Sequence, residues 1–230
     1  MIKLPREYNK PHFGVIASGI SGNIGGWDIE DDFDTDEWVD KNAAISVNTG
    51  SSRLDWNCSN RNTDYKSYRD FGSNASDTAW VLQYVHDITT ISGSQNVSCH
   101  CGMSSGTDGQ ASAQDFLGVT HELGDGQHYT CEADGAALPL TGDDSHAGVS
   151  VEDNGIRITR DSATALSVDI YPDGTFGTAD ELLSTTVAST IQSLRYISVQ
   201  NRSDDGASAT TYSGNIDTLK FADAVTEPPA

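Results

Sequence analysis

Residues 213–223 read SGNIDTLKFAD (Ser213–Asp223), and the fold class follows most directly from this segment. Turn-forming Ser, Gly and Asn come first. Ile216, Leu219 and Phe221 follow as candidates for a buried core, with Asp217 lying among them. The pattern predicts a strand that starts after a turn and buries part of its side chains in a sandwich.

Similar short runs of alternating or β-branched residues recur along the chain between turn signals such as NTG, SGS, GTDG, TGDD, PDG and DDG. This spacing is typical of an all-β sandwich. Asp153-Asn154-Gly155, ahead of IRITR, predicts a tight hairpin. Only Ser112–Phe116 and Thr178–Leu183 are compatible with short helices. The other predicted strands are Ala44–Asn48, Arg53–Asn57, Tyr65–Asp70, Ala79–Ile88, Asn96–Met103, Phe116–Glu122, His128–Glu132, Gly148–Glu152, Ile156–Asp161, Ala165–Tyr171 and Leu194–Gln200.

The chain is expected to form one domain, residues 27–223, because no repeat or linker interrupts it. Residues 1–26 look like an extended arm, with Pro5, Pro11 and a glycine-rich end, and they lack the pattern of a secretory signal. Residues 224–230 form a short tail. We expect the arm to be held against its own domain or against a neighbouring subunit, since a free arm of this composition would fray. The second arrangement would be self-association.

The charge of the chain restricts its partners. Thirteen Lys and Arg residues stand against 34 Asp and Glu residues, which gives a formal net charge of −21. Nucleic acids and anionic membrane surfaces are disfavoured, because proteins bind both through cationic side chains. No apolar run approaches the roughly 20 residues that span a bilayer. Neutral glycans, divalent cations and other protein subunits are the partners that remain.

Four cysteines are present, an even number that suits two disulfides with three alternative connectivities. Cys99 and Cys101 would share one face of a strand, so Cys58 and Cys131 are their expected partners. A metal site that adds His121 or His128 to CHC is the weaker alternative, because no CxxC pair is present. Disulfides would place the protein outside the reducing cytosol: extracellular, at a cell surface or in a virion.

The stretch EDDFDTDEW (Glu30–Trp38) holds six carboxylates around one Phe and one Trp. An EF-hand is excluded, because Glu37 would occupy the position that needs glycine and Ala43 the position of the bidentate glutamate. A pair of catalytic acids, such as Asp32 and Asp34, lacks the surrounding aromatic groove. The remaining interpretation is a solvated strand start, with Phe33 and Trp38 in the core.

A family resemblance joins the two ends of the chain. The opening EDDF with its following Trp, the closing GNIDTLKF and the preceding LRYISV (residues 194–199) resemble strands of the concanavalin A-like, or laminin G-like, jelly roll. Residues 76–90 and 158–174 resemble its long central strand and its later meander. The resemblance covers about residues 28–222 and implies two antiparallel sheets with the first and last strands side by side.

This resemblance also implies a candidate ion site. If the first and last strands are neighbours, Asp32 and Asp217 could share a structural Ca²⁺, with further oxygen ligands from Glu30 or Asp31. A cation would offset the repulsion between these carboxylates. A solvated edge without an ion remains the alternative.

The sequence gives little sign of catalysis, and we expect a non-enzymatic protein. The paired-acid strand of glycoside hydrolases with this fold, the GxSxG nucleophile turn and phosphate-binding glycine loops are absent from the sequence. Polysaccharide lyases need a cation and a Tyr or His base, for which Arg157, Tyr84 and His86 are available. The acidic charge argues against acidic polysaccharides, so a lyase or glycoside hydrolase is a remote alternative.

Two functions remain. The first is a structural protein of a virion, filament or surface layer, in which the arm adds a strand to a neighbouring sheet. The second is a carbohydrate-binding module that stacks sugars on aromatic side chains near loops. The candidate stacking residues are Trp27, Trp56, Tyr65, Tyr68, Tyr129 and Tyr212. Four N-x-S/T sequons, at Asn57, Asn74, Asn96 and Asn201, are candidate glycosylation sites.

Overall fold

The computed structural model describes residues 26–40, 44–58, 65–92, 97–109, 114–123, 127–134, 145–147, 153–172, 174–203 and 211–229. Every regular element in these ranges is a β-strand, so they contain no helix that could cross a membrane. The predicted arm, except Gly26, and the predicted strand Gly148–Glu152 lie outside the described residues.

Fifteen strands follow one another along these ranges. They are β1 (Ile29–Asp31), β2 (Val39–Asp40), β3 (Ile45–Asn48), β4 (Arg53–Asn57), β5 (Tyr65–Asp70), β6 (Trp80–Ser92), β7 (Val97–Ser104), β8 (Phe116–Leu123), β9 (Gln127–Asp134), β10 (Ser145–Ala147), β11 (Asp153–Ser162), β12 (Ala165–Pro172), β13 (Glu181–Thr186), β14 (Tyr196–Ser203) and β15 (Thr211–Asp223).

The strands form two sheets in which every pair is antiparallel. Sheet A has the order β13-β12-β11-β6-β15-β4-β3, and β1 also pairs with β15. Sheet B has the order β10-β9-β8-β7-β14-β5-β2. Strands that are adjacent in sequence either pair directly or lie in different sheets, and strands distant in sequence, such as β6 and β15, are neighbours, as expected for a jelly roll. The predicted all-β, two-sheet jelly-roll sandwich is confirmed.

Strand β15 organises sheet A. It pairs with β6 along almost its whole length, while its other side pairs first with β4 (through Ser213–Ile216) and then with β1 (through Leu219–Phe221). A register irregularity between Asp217 and Lys220, with Thr218 at a φ of 47°, lies where the partner changes. The first and last described strands are therefore neighbours, as the resemblance implied.

The core lies between the two sheets and is filled by alternate residues of the strands. Ile216, Leu219 and Phe221 are fully buried there, as the closing stretch predicts. Phe33 and Trp38 are buried beside each other, with ring centroids 6.1 Å apart. Their burial removes large aromatic surfaces from water, which contributes several kcal/mol to the stability of the sandwich.

Two local predictions are wrong. Asp153-Asn154-Gly155 belongs to β11 rather than to a hairpin turn, because this segment pairs with β6 on one side and its Asn154 and Gly155 pair with β12 on the other. Thr178–Leu183 does not form a helix. Its second half enters β13, where Leu183 and Thr185 are buried on alternate positions against β12. Cross-strand pairing outweighs local turn and helix preferences at both places.

Candidate functional site: a polar pocket on sheet A

A pocket among the described residues lies on the outer face of sheet A, where β3, β4, β15 and β6 meet. Its volume of about 530 Å³ is in the range of ligand-binding pockets. The lining is predominantly polar and consists of Ala44, Ser46, Arg53, Asp55, Trp56, Asn57, Thr89, Ser213, Gly214 and Asn215.

The strand register places polar side chains in one row across this face. Ser46 is directly opposite Asp55, Asp55 is opposite Asn215, and Asn215 is opposite Asp87. Residues paired in this way share a face of the sheet. The opposite face carries apolar neighbours such as Leu54. The alternation of polar and apolar residues in these strands thus builds one polar surface and one core surface.

Several hydrogen bonds hold the row in place. The Asn215 side-chain amide donates to Asp87 Oδ2 at 2.7 Å, and the Asn48 amide donates to Asp55 Oδ2 at 2.9 Å. Arg53 Nε forms an ion pair with Asp55 Oδ1 at 2.7 Å. Because both carboxylates are already held by protein groups, the row is a pre-organised polar surface.

A buried acceptor of the lining lacks a hydrogen-bond partner. Asn215 is only 1% exposed, yet its Oδ1 accepts no hydrogen bond. Buried polar groups are normally satisfied, because leaving one unpaired costs about 1–3 kcal/mol. A polar ligand that donates a hydrogen bond from the pocket would satisfy this atom.

Trp56 packs beneath the pocket rather than projecting from it. Its ring lies against His86 and Tyr212, with centroid separations of 5.3 and 4.7 Å. Gly214 is directly opposite Trp56 in the ladder, and a Cβ atom there would lie 2.6 Å from the Trp56 ring. The predicted role of Trp56 as a stacking platform is wrong, because the indole is fully buried. Its N–H group, which donates no hydrogen bond, lies on the core side with the ring.

The other predicted stacking residues are dispersed. Tyr129 and Tyr212 are fully buried in the core, so the stacking prediction is wrong for both. Tyr65 is half-buried against the core. Tyr68 is half-buried and packs edge-on against Tyr196 on sheet B. Trp27 is half-buried, with Lys220 Nζ 5.8 Å from its ring centre. None of these five lines the pocket on sheet A.

A cluster of histidines and tyrosines lies inside the sandwich. His86 Nδ1 is 2.9 Å from the Tyr129 hydroxyl, and His121 Nδ1 hydrogen-bonds the Tyr212 hydroxyl. The two imidazole rings are 5.7 Å apart. Burial lowers the pKa of His86 from 6.5 to about 3, so this side chain is neutral at physiological pH. Periodicity does not distinguish polar residues in a core from exposed ones, so the sequence does not predict this cluster.

This shifted pKa predicts acid sensitivity. Below pH 6.5 the unfolded chain binds a proton at residue 86 that the folded chain binds only near pH 3, so the free energy of unfolding falls as the pH decreases through this window. The loss is at most about 1.4 kcal/mol per pH unit. We expect His86→Gln, which can still hydrogen-bond Tyr129, to reduce the proton uptake on unfolding by about one proton. Urea unfolding at several pH values measures this uptake as the slope of the free energy of unfolding against pH. An unchanged slope in His86→Gln would contradict the low pKa of His86.

The acidic segment Glu30–Trp38 is held together by one buried carboxylate. Asp31 accepts hydrogen bonds from the Phe33 amide at 2.9 Å, the Trp38 indole at 2.8 Å and Arg69 Nη1 at 2.5 Å. Arg69 also pairs with Glu37. The expectation of a solvated strand start is therefore wrong for Asp31, whose carboxylate fixes the turn that carries both aromatic rings into the core.

The predicted calcium ligands are only partly brought together. Glu30, Asp31 and Asp32 line a pocket of about 240 Å³ beside Lys220, but Asp217 does not line it. Lys220 Nζ lies 3.3 Å from Glu30, so lysine and arginine side chains neutralise part of this acidic segment. Among the described residues, no three His, Cys, Asp or Glu side chains are grouped to hold a metal ion. Binding of Ca²⁺ stays a prediction.

The predicted disulfides are not formed in this structure. All four cysteines are buried, and none of them is joined in a disulfide. Cys101 and Cys131 are each paired with Val119 from opposite sides, so they are two strands, or about 9–10 Å, apart. This exceeds the roughly 7 Å that a disulfide can bridge. Burial raises the pKa of Cys101 to about 12, which makes its thiol unreactive.

The sequons differ in accessibility. Asn57 and Asn74 are exposed, and Asn96 lies outside the described residues. Asn201 is fully buried in β14. The prediction of a glycan on Asn201 is wrong for the folded protein, because its amide nitrogen has no access to solvent.

Comparisons with known proteins support the fold. No family model and no curated protein sequence matches the chain. Among solved structures, the chain is similar to the carbohydrate recognition domain of Emp47p (TM-score 0.60, 13% identity), with 90% of this chain and 100% of that chain covered.

Two further solved structures share the fold. The CBM2 module of the evolved Dit protein from Lactobacillus casei BL23 phage J-1 has a TM-score of 0.54 at 9% identity, covering 85% of this chain and 94% of that one. The family 7 alginate lyase A1-II′ in complex with substrate has a TM-score of 0.50 at 9% identity, covering 82% and 84%. Binding domains and an enzyme therefore share this architecture, and the chain has the concanavalin A-like jelly-roll fold.

Proposed function

We propose that the protein is a carbohydrate-binding module that holds a neutral sugar in the pocket on sheet A. The observation that carries the proposal is the unsatisfied acceptor in the lining of that pocket, Asn215 Oδ1, within a row of polar side chains. A sugar presents several hydroxyl groups that both donate and accept, so it can donate to this atom and accept from its polar neighbours.

The remaining lining suits the same ligand. Asp55 keeps acceptor capacity beside its bonds to Asn48 and Arg53, and Arg53 adds a cation at the rim. The net charge of −21 disfavours acidic glycans, so a neutral sugar is the better match. The names of two structural neighbours, a carbohydrate recognition domain and a carbohydrate-binding module, support this class of ligand.

We propose binding rather than turnover at this pocket. Asp55 and Asp87 are both held in place by cationic or amide side chains, so neither is free to move toward a leaving group. A glycosidase instead needs one of its two acids to donate a proton to the leaving group.

Closing the pocket tests the proposal. Ser46 is exposed at its rim, and we expect Ser46→Trp to fill the space without disturbing the core. Affinity for a neutral sugar, selected on a glycan array and measured by calorimetry, should fall at least tenfold, or about 1.4 kcal/mol.

The matched control is Ser184→Trp, at an exposed position of β13 in the same sheet. This variant should bind the sugar like the unchanged protein. Equal binding by both variants would show that the sugar site lies elsewhere, and the absence of any neutral glycan ligand would overturn the proposed function.

The role in a virion, filament or surface layer stays a prediction. It rests on the arm, residues 1–26, of which the structure describes only Gly26. One structural neighbour is a module of a phage protein, which is compatible with glycan binding inside a larger assembly. Location outside the cell or in a virion is likewise a prediction.

A further inference from the structure

A second polar constellation lies on the outer face of sheet B. Ser98 and His100 are two residues apart on β7, and Ser98 Oγ is 2.8 Å from His100 Nε2. On the other side of the ring, His100 Nδ1 is 3.2 Å from Glu132 Oε2 of β9. Thr120 of β8 lies between these strands, with its Oγ1 2.5 Å from the same nitrogen.

We assign the tautomer of the histidine from its neighbours. A carboxylate accepts hydrogen bonds but does not donate them, and the Thr120 hydroxyl can also accept, so we place the hydrogen on Nδ1, which faces both groups. Nε2 is then the acceptor, and the Ser98 hydroxyl donates to it. This is the arrangement in which a histidine can take the proton of a serine that becomes a nucleophile.

The constellation is separated from the core. Cys99 and Cys101, the alternate residues of β7, face the sandwich interior, while Ser98 and His100 face outward. Even so, Ser98 is only 9% exposed, and His100 and Glu132 are each 3% exposed. Holding a carboxylate and an imidazole away from water is costly unless they are paired, and here each has a defined partner.

A fourth side chain completes the surface. Gln200 of β14 is directly opposite His100 in the ladder, so both share the outer face. Gln200 is 2% exposed, and its Oε1 accepts no hydrogen bond. This unpaired oxygen adds an acceptor, and not an oxyanion donor, to the polar surface beside the histidine.

We propose that Ser98, His100 and Glu132 form a nucleophilic site that hydrolyses carboxylic esters. Ser98 Oγ bonds to the acyl carbon of the ester as His100 Nε2 takes the hydroxyl proton. The C–O bond to the alcohol then breaks, and the alcohol leaves with that proton. Water attacks the acyl-Ser98 in the same manner, which releases the carboxylic acid and restores the serine. Glu132 acts as a positioning residue for the imidazole.

This site is independent of the proposed sugar pocket. The pocket is on the outer face of sheet A, whereas the constellation is on the outer face of sheet B. Failure of either proposal leaves the other unchanged. Acyl esters of small alcohols are the substrate class, and p-nitrophenyl acetate is a suitable probe.

The first test uses a fluorophosphonate, which forms a stable bond with an activated serine. We expect mass spectrometry to locate the adduct on Ser98 of the unchanged protein. His100→Gln should reduce the labelling rate by about 10²-fold or more, since it removes the general base. Ser104→Ala is the matched control and should be labelled normally, because Ser104 shares the strand and the face but donates to the Gly106 carbonyl.

The second test measures acetate release from p-nitrophenyl acetate. We expect Ser98→Ala to lose the release and Ser104→Ala to retain it. Glu132→Gln should lower the rate, and Glu132→Asp should regain part of it, because only the aspartate restores a carboxylate. If the unchanged protein is neither labelled at Ser98 nor faster than Ser98→Ala, the proposal is overturned.

Discussion

Asp31→Ala should lower the free energy of unfolding by about 3–5 kcal/mol, which is the usual cost of removing one partner of a buried ion pair. The substitution leaves the Trp38 indole and one Arg69 nitrogen without their acceptor and removes the hydrogen bond that holds the Phe33 amide. The effect is large because three donors converge on one carboxylate. Urea unfolding followed by tryptophan fluorescence measures it directly.

Asp32→Ala is the matched control for this change. Asp32 is the next residue, but it is exposed and accepts a single hydrogen bond, from the Asp34 amide at 3.3 Å. Its loss should alter the stability by about 0.5 kcal/mol or less. Comparable losses in the two variants would show that the total negative charge of the segment, and not the buried carboxylate, determines its stability.

The second large effect is expected at Gly214, which lies where β15, β4 and β6 meet. A Cβ atom at this position would lie 2.0 Å from the main-chain oxygen of Asp87 and 2.6 Å from Cζ2 of Trp56. Neither neighbour can move without shifting a central strand or a buried ring. Gly214→Ala should therefore cost about 3 kcal/mol or more, at the upper end of the usual cost of overpacking.

The substitution should also alter the pocket, because Gly214 and Trp56 both line it. Gly177→Ala is the control. Its Cβ would meet only Thr175 Oγ1, at 3.9 Å, so this change should leave the unfolding midpoint nearly unchanged. If Gly214→Ala unfolds at the same urea concentration as the unchanged protein, the close approach of β15 to β6 described here is wrong.

The fold could be predicted because many of its strands show the alternation of polar and apolar residues that is typical of a sandwich. Arg53–Asn57 and Tyr65–Asp70 are strands with the predicted bounds, and the closing segment buries the three residues proposed for it. The strand β13 was missed, since ELLSTT is compatible with a helix when its partner β12 is ignored. The local sequence predicts a strand correctly only where its own preference agrees with the structure imposed by the neighbouring strands.

The candidate sites were harder to predict, because they depend on which strands become neighbours. Asp55 and Asn215 are far apart in sequence, and only the pairing of β4 with β15 puts them in one row. Ser98, His100 and Glu132 meet for the same reason, across β7, β8 and β9. The aromatic residues misled the prediction, since Trp56, Tyr129 and Tyr212 fill the core. Residue type alone does not show which face of a strand a side chain occupies.

The central position of β15 has a consequence for the order of folding. Sheet A cannot close until Thr211–Asp223 inserts between β6 on one side and β4 and β1 on the other, and the Glu30–Lys220 pair joins residues 190 positions apart. A nascent chain on the ribosome would hold the edges of β4 and β6 unpaired until this strand emerges. Such long-range pairing slows folding and exposes strand edges to aggregation. Efficient production should therefore depend on chaperones that shield β4 and β6 until the last strand is available.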